Sequence, residues 1–237
     1  MPLTDQSRRD RILDAAEHAF AEAGFSGASM RHIVLKAKVN LATVYYYFGS
    51  KNGLMEAVLK RRFGPLRQEH LEMLRAAQNS NGGRPLSVER ILEAMLWPPL
   101  RLAACDSDQR HAVMRLIGRI VNEPSQQIQD ILHVQRAEVR EAFLKAFQES
   151  LPNAARADLL WRLEFVWGAL TFILCNPKKI EQDSLGECNP RDTQRVLEGM
   201  IRFFSPGFQE TRPTILRTRA RIRKAPRSRQ RRSVVIA

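Results

Sequence analysis

Apolar positions along this chain follow a helical spacing almost throughout. They recur three or four residues apart, and no stretch of useful length alternates as a half-buried β-strand does. Glycine, proline and small polar residues mark the breaks, most clearly from Gln78 to Pro85. The pattern predicts an all-α fold without internal repeats.

The same spacing predicts where the helices lie. The first helix begins at Thr4 or Asp5 and ends at Ala23, with Gly24 as its C-cap. Two short helices and a fourth from Lys51 follow, and the helical pattern resumes past Gly64-Pro65. Four or five longer helices are expected, at about Leu86–Cys105 with a break at Pro98-Pro99, Asp108–Val121, Ser125–Leu151, Ala155–Cys175 and Asp192–Phe204.

The stretch from Ser29 to Phe48 predicts a helix-turn-helix. Ser29 and Asn40 are N-caps, and the corner lies at Lys38-Val39. Its helices are Met30–Ala37 and Leu41–Phe48, with an apolar inner side made by Ile33, Ala37, Val39, Val44 and Phe48.

The outer side of this motif has the residues that DNA contacts require. Phenol groups can donate hydrogen bonds to phosphates, and short side chains let a helix approach base edges. An ordinary αα-corner is the structural alternative. The candidate DNA-binding residues on this side are Arg31, Asn40, Ala42, Thr43, Tyr45, Tyr46 and Tyr47.

Residues from Arg11 to Ala57 resemble the DNA-binding domain of the TetR family of bacterial transcriptional regulators. The resemblance runs through the opening helix, Gly24-Phe25, the helix-turn-helix, the YYYF ending and the Gly-Ser-Lys before the fourth helix. It implies that Lys51, a cation in a helix's first turn, meets a DNA phosphate. The family usually has glycine where this chain has Lys38, so Lys38 either takes a left-handed conformation at about 1 kcal/mol or the turn differs slightly.

Charge is distributed unevenly along the 237 residues. The net charge is +4 over residues 1–66, −1 over 67–210 and +10 over 211–237. We therefore predict a helix-turn-helix domain at 6–66, a helical regulatory and dimerisation domain at 67–210, joined to it by a long helix, and a disordered basic tail at 211–237. The tail is either a nonspecific DNA-binding arm, a membrane-surface or RNA contact, or an extension without a role.

Several classes of protein find no support in the sequence. No apolar run reaches the roughly 18 residues of a membrane span, and the start lacks a signal peptide, so a cytoplasmic, nucleoid-associated protein is expected. Three cysteines without a CxxC pair, and five histidines without metal-ligand spacing, argue against a disulfide framework, a metal site or a cofactor. No GxSxG, Walker or GxGxxG motif points to an enzyme.

The segment Leu159–Leu174 is apolar almost all round. It is too short for a comfortable membrane span and too apolar for a surface helix, so it must bury two faces. Either it is the central helix of a monomer, or one face packs on the same helix of a second copy. The TetR resemblance implies the second arrangement, a homodimer through a four-helix interface built from the last two long helices.

Ligand binding by the middle of the chain rests on two patterns. Aromatic and Met side chains at helical spacing either line an apolar pocket or form plain core. A stripe of His111, Arg115 and Arg119 pairs either with internal glutamates such as Glu164 or Glu138, or with an acidic ligand. The candidate ligand-binding residues are Trp97, His111, Met114, Arg115, Arg119, Phe143, Trp161 and Trp167.

The segments GPLRQ, MRLIGR and LLWRLEFVWGALTF resemble the regulatory half of PsrA-type repressors, which respond to long-chain fatty acids. The expected function is a dimeric transcriptional regulator, most simply a repressor, that binds a palindromic operator in double-stranded DNA. A small apolar or acyl-type ligand such as a fatty acid or acyl-CoA would release it. The alternative is a DNA-binding regulator without a small-molecule effector, controlled by a protein partner.

Overall fold

The structure is a computed structural model that describes residues 5–104, 116–121 and 123–210. In these ranges the chain is helical and contains no strand, which confirms the all-α prediction. Within them no helix is both long and apolar enough to cross a bilayer. The helices are α1 (Asp5–Gly27), α2 (Met30–Ala37), α3 (Leu41–Phe48), α4 (Lys51–Ser80), α5 (Val88–Ala104), α6 (residues 116–121), α7 (Gln126–Ser150), α8 (Arg156–Cys175), α9 (Pro177–Asp183) and α10 (Thr193–Gln209).

The helix-turn-helix prediction is confirmed, and both helices have the predicted bounds. The Asn40 side chain accepts a hydrogen bond of 2.7 Å from the Thr43 backbone N–H, so it caps α3. Lys38 ends α2 in the left-handed conformation, with φ 53° and ψ 48°. Lysine thus takes the conformation that glycine would adopt without strain.

A first hydrophobic core joins α1–α4 to part of the helical domain. Buried side chains such as Ile12, Phe20 and Val44 pack together between the first four helices. The same core also contains Leu116 and Ile120 of α6 and Ile128 and Leu132 of α7. The first four helices therefore bury part of their apolar surface against the helices that follow them.

The long helix α4 leads into a second core. It has 30 residues, or about 45 Å, and continues through Pro65. Its second half packs with α5, α7, α8 and α10 around buried residues such as Ile91, Phe143 and Leu163. One helix therefore takes part in both cores.

The predicted break at Pro98-Pro99 is wrong, because α5 runs through both prolines. A proline at position 99 cannot donate the helical hydrogen bond to the carbonyl of Met95. The buried His70 Nε2–H of α4 donates to that carbonyl instead, over 2.9 Å. A side chain from another helix thus satisfies the group that proline leaves without its helical partner.

Other bounds also differ from the prediction. Helical geometry ends at Gly24, the predicted C-cap, and a further helical turn that was not predicted runs to Gly27; α9 was not predicted either. The last helix extends beyond the predicted Phe204 because Phe208 is buried and stacks on Phe147, with ring centroids 4.3 Å apart. Only residues 116–121 of the predicted Asp108–Val121 helix, and none of the basic tail, belong to the described residues.

Candidate nucleic-acid interface and internal cavity

The outer surface of α3 contains most of the predicted DNA-binding residues. Val44 anchors the helix to the core at 1% exposure, and Tyr46 is 83% exposed. Seven of the eight predicted residues lie on α2, on α3 or at the N-cap of α3. The eighth, Lys51, is the first residue of α4. Arg31, Asn40, Ala42 and Tyr45 are exposed, whereas Thr43, Tyr47 and Lys51 are half-buried.

The adjacent tyrosines have different surroundings. The Tyr47 hydroxyl donates a hydrogen bond to the Asp5 carboxylate, which raises the pKa of Tyr47. This bond ties α3 to the start of α1. The Tyr46 ring packs edge-on against Tyr47, with centroids 5.2 Å apart, and extends into solvent. Tyr47 therefore orients the surface, and Tyr46 is the tyrosine most available to a partner.

Lys51 is the first residue of α4 and follows closely after α3, which we call the reading helix because it is the predicted DNA-contacting helix. Its ammonium lies 4.8 Å from the ring centroid of Phe25, a cation–π contact. Burial lowers the pKa of Lys51, and the nearby Glu123 carboxylate opposes that shift. The lysine is thus partly held within the protein at the edge of the DNA-binding surface.

Two arginines of α1 hold the helix-turn-helix in place. The Arg11 guanidinium donates to the Ala37 carbonyl, at the C-terminus of α2, where a positive charge also favours the helix dipole. Arg9 lies over the ring of Phe48, 5.5 Å from its centroid. This supporting function was missed, because nothing local in the sequence shows that α1 reaches the end of α2.

An internal cavity of about 430 Å³ lies between α4, α7 and α8. A second cavity, of about 670 Å³, adjoins it and shares the side chains of Arg136, Glu164, Trp167 and Thr171. The volumes fall in the range of small-molecule sites. The first is lined mainly by Phe63, Leu66, Arg67, His70, Leu132, His133, Arg136, Val139, Arg140, Glu164, Trp167, Leu170 and Leu174.

Arg136 is the cation common to both cavities. Its guanidinium lies 5.9 Å from the ring centroid of Phe63, and although the residue as a whole keeps solvent contact, desolvation lowers the pKa of Arg136. The Glu164 carboxylate opposes that shift. Arg140 follows one turn later on the same wall, beside the His133 ring at 3.4 Å. Apolar and basic groups therefore meet in one pocket that is partly open to solvent.

The predicted ligand-binding residues are only partly brought together. Trp167 lines both cavities and Arg119 lines the second. Phe143 is fully buried in the core, Trp97 packs against that core, and Trp161 is 65% exposed on α8. These three are absent from the walls of both cavities. His111, Met114 and Arg115 lie outside the described residues.

Sequence reasoning missed His70 and Arg136 as cavity residues. His70 is buried, and that burial lowers its pKa, so the ring is neutral at pH 7. Its ring packs edge-on against Trp167 at 5.7 Å. Arg136 and Arg140 form an i, i+4 pair like Arg115 and Arg119, but polar residues such as Gln135 and His133 lie beside them, so the sequence does not single them out.

A second set of exposed side chains is aromatic. These side chains belong to α8 and α10, and we call the set the aromatic face. Arg162 of α8 donates to the carbonyls of Phe208 and Glu210, each over 2.7 Å, and so ties the two helices together. The aromatic face consists of Trp161, Phe165, Phe172 and Phe203, which are 48–78% exposed.

Comparison with known proteins gives matches in both halves of the chain. The family described as "Bacterial regulatory proteins, tetR family" matches residues 12–58, and "Tetracyclin repressor-like, C-terminal domain" matches residues 93–207. UidR of Escherichia coli K12, an HTH-type transcriptional regulator, is 25% identical over 182 residues, which cover 71% of this chain and 92% of UidR.

Other similarities are local or concern the fold alone. The HTH-type transcriptional repressor NicS of Pseudomonas putida is 38% identical over 65 residues, 27% of this chain and 31% of NicS. Several curated relatives, NicS included, are matched over only about a quarter to a third of their length. FadR of Bacillus subtilis, solved in complex with stearoyl-CoA, superposes with a TM-score of 0.56 at 16% identity, over 81% of this chain and 97% of FadR.

The two family matches lie on the two halves that the fold distinguishes, one on the helix-turn-helix and one on the helical domain. The long match to UidR spans both. The chain belongs to the TetR family and is a DNA-binding transcriptional regulator.

Proposed function

We propose that this protein is a dimeric repressor that binds a palindromic operator and is released by an amphipathic anionic ligand. The observation that carries the proposal is the outer surface of α3, where Ala42 and Tyr46 are exposed while Val44 anchors the helix. A helix held in this way can enter a major groove and leave its outer side chains facing base edges.

The residues around α3 would have different functions in DNA binding. Ala42, Thr43 and Tyr46 would read bases, because the side chains of Ala42 and Thr43 are short and that of Tyr46 extends into solvent. Arg31 and Lys51 would neutralise phosphates, which adds affinity without sequence preference. Tyr47 would serve through its bond to Asp5, which fixes the angle between α1 and α3.

The aromatic face would make the dimer. Trp161, Phe165 and Phe172 recur along one side of α8, and Phe203 lies on α10. Exposed aromatic rings at this density favour burial against another protein surface. Packing α8 and α10 on the same helices of a second copy gives a two-fold assembly, whose reading helices would meet operator half-sites about 34 Å apart.

The effector would occupy the adjoining cavities. Apolar side chains such as Leu170 and Trp167 suit a hydrocarbon chain, and Arg136 and Arg140 suit an anionic head group. The bound stearoyl-CoA in Bacillus subtilis FadR, a protein of the same fold, supports an acyl ligand. Arg119 lines the second cavity, so the basic residues proposed for this site are Arg119, Arg136 and Arg140.

A selection experiment tests the DNA-binding part of the proposal. Duplexes of random sequence would be selected for binding to the purified protein, and the enriched duplexes would be sequenced. We expect an inverted repeat, bound far more tightly than scrambled duplexes at 150 mM salt. Enrichment of no sequence at all would contradict an operator-specific function.

A thermal-shift series tests the effector. Oleate, stearate and stearoyl-CoA would be titrated onto the protein, and we expect a concentration-dependent rise of the melting temperature for at least one of them. The same ligand should dissociate the operator complex. If none of the three ligands changes the melting temperature, the result would instead favour control by a protein partner, because an acyl effector must bind in order to act.

A further inference from the structure

One carboxylate of the helical domain is buried against the DNA-binding domain. Glu123 lies in the short segment between α6 and α7 and is 8% exposed. It is one of four buried polar or charged residues in the described part of the chain, with Glu17, His70 and Ser205. A carboxylate buried at this position requires hydrogen-bond donors, and the DNA-binding domain supplies them.

The donors come from the kinked end of α1. The backbone N–H of Phe25 donates to Glu123 Oε2 over 3.1 Å, and the Ser26 hydroxyl donates to Oε1 over 3.0 Å. Gly24, with φ 71°, interrupts the helix immediately before these residues. A Cβ atom at position 24 would lie 3.3 Å from Glu123 Oε2, so glycine both permits the kink and leaves room for the carboxylate.

The same carboxylate acts on the base of the reading helix. The Lys51 ammonium lies over the ring of Phe25, 4.8 Å from its centroid. The negative charge of Glu123 favours the charged form of that lysine. Lys51 begins α4 directly after Gly49-Ser50, which end α3. Through Phe25 and Lys51, Glu123 thus reaches both ends of the helix-turn-helix.

On its other side, Glu123 is joined to the cavity. Gln129 donates through Nε2 to the Glu123 backbone carbonyl over 2.8 Å, and the Glu123 N–H donates to the Ile120 carbonyl over 3.1 Å. Gln129, Gln126 and Ile117 contribute to the cavity wall. The segment that orients the Glu123 carboxylate is therefore part of the surface that a ligand would touch.

We infer that Glu123 is a positioning residue, through which the α6–α7 segment holds the reading helices in their DNA-binding orientation. The inference rests on the proposed function in that it takes operator binding by α3 as its readout. A change in the α6–α7 segment would withdraw the carboxylate from Phe25 and Ser26, and the kinked end of α1 and Lys51 would lose their common anchor.

The test compares four proteins on two DNAs. Wild type, Glu123→Gln, Ser26→Ala and Glu22→Gln would be titrated onto the selected operator and onto a scrambled duplex. Glu123→Gln removes the charge, so the Phe25 N–H keeps only a neutral amide oxygen as acceptor and the Ser26 hydroxyl must accept from the new NH₂ group. Ser26→Ala removes one donor at an exposed residue and leaves the charge unchanged. Glu22→Gln is the matched control, since it removes the same charge from an exposed position on α1.

The sign of the effect separates positioning from simple charge. Removing a carboxylate near DNA should by itself strengthen binding. We expect instead that Glu123→Gln weakens operator binding by about tenfold and Ser26→Ala by a smaller factor. Binding to the scrambled duplex should stay within about twofold of wild type, as should Glu22→Gln on both DNAs.

Hydrogen exchange supplies a readout that a general loss of stability would not reproduce. The Phe25 amide should exchange at least about tenfold faster in Glu123→Gln, while amides in the α5 core keep their wild-type rates. Operator affinity within twofold of wild type in both variants would overturn the inference, as would equal losses on the two DNAs. A wild-type protein that prefers no sequence would instead refute the proposed function.

Discussion

Aromatic side chains reach solvent in two places on this protein, and the two places differ in their surroundings. On α3, Tyr45 and Tyr46 are exposed and carry hydroxyls, and Arg31 of the preceding helix is exposed as well. On the aromatic face, Trp161 and Phe203 belong to an apolar surface of indole and phenyl rings. The first surface suits a hydrated polyanion, and the second suits burial against another apolar surface.

The comparison shows that exposure alone does not identify a partner. A tyrosine can donate a hydrogen bond to a phosphate while its ring packs on a sugar, whereas phenylalanine gains only by leaving water. The charged groups beside each aromatic cluster determine which kind of partner that cluster suits. Substitutions on each surface should therefore produce separate defects.

Breaking the aromatic face should have the largest effect. Glutamates in the double variant Trp161→Glu/Phe203→Glu cannot be buried in an apolar interface without a high desolvation cost. We expect monomers in sedimentation velocity, and operator affinity lower by more than about a hundredfold, because the two half-sites are then bound independently.

Val134→Glu is the control for that variant, since Val134 is a similarly exposed apolar residue on α7. It should remain a dimer and bind the operator normally. A double variant that stays dimeric at micromolar concentration would contradict the assignment of the aromatic face.

Substitutions on α3 should act on DNA recognition alone. Tyr46→Ala and Thr43→Ala should each weaken operator binding by about 1–3 kcal/mol and have little effect on scrambled DNA. Lys51→Ala should weaken binding to all DNA alike and reduce the slope of log affinity against log salt by about one. Fluorescence anisotropy at several salt concentrations measures both quantities.

Two controls sharpen this division. Tyr46→Phe removes only the hydroxyl, and Lys60→Ala removes the same charge as Lys51→Ala from an exposed position farther along α4. Lys60→Ala should leave the salt slope near the wild-type value. Equal losses on operator and scrambled DNA for Tyr46→Ala, Thr43→Ala and Lys51→Ala would show that the surface is not divided as proposed.

Arg136→Ala tests the cavity, where the aromatic rings of Phe63 and Trp167 are partly buried. Loss of the guanidinium should abolish most of the melting-temperature rise given by the active acyl ligand, because the anionic head group loses its counter-charge. Basal operator binding should persist. Arg75→Ala, on an exposed side of α4, is the matched control and should keep the full rise.

Acid should weaken the helical domain through His70. Burial lowers the pKa of His70, so the unfolded chain binds more protons than the folded one as the pH falls below the ordinary histidine value of about 6.5. The unfolding free energy should therefore decline between pH 7.5 and pH 5.5. His70→Gln should reduce this decline, and His18→Gln, at an exposed histidine, should not.

The smallest predicted effect concerns the turn before α3. Lys38 has φ 53°, so Lys38→Gly should relieve about 1 kcal/mol and raise the melting temperature by about 2–4 °C. Lys36→Gly, inside α2, should lower stability instead, because glycine weakens a helix interior. Lower stability in Lys38→Gly would mean that the lysine stem makes compensating contacts in the turn.

The DNA-binding motif could be predicted because its signals are local. Asn40 caps α3 three residues from the group it binds, and the spacing of Ile33, Ala37 and Val44 shows the inner side of the motif. Capping and helical periodicity act within a few residues, so a single stretch of sequence contains them. A left-handed Lys38 was one of two alternatives that the family resemblance implied, and the structure has that conformation.

The cavity and the contact between the domains could not be predicted in this way. Arg136, His70 and Trp167 lie on three helices, and their neighbours depend on how those helices cross. The sequence at Pro98-Pro99 predicted a break in the helix. In the fold, His70 lies close enough to donate a hydrogen bond to the Met95 carbonyl, which lacks its helical donor.

The sequence by itself thus determined the helical class, the reading helix and its caps, because hydrophobic periodicity and capping are short-range. Only the tertiary structure decided which arginine lines the cavity and which carboxylate joins the domains. Glu123 meets Phe25 across 98 residues of chain, and such a pairing is set by the packing of whole helices. Local sequence has no signal for a contact of that range.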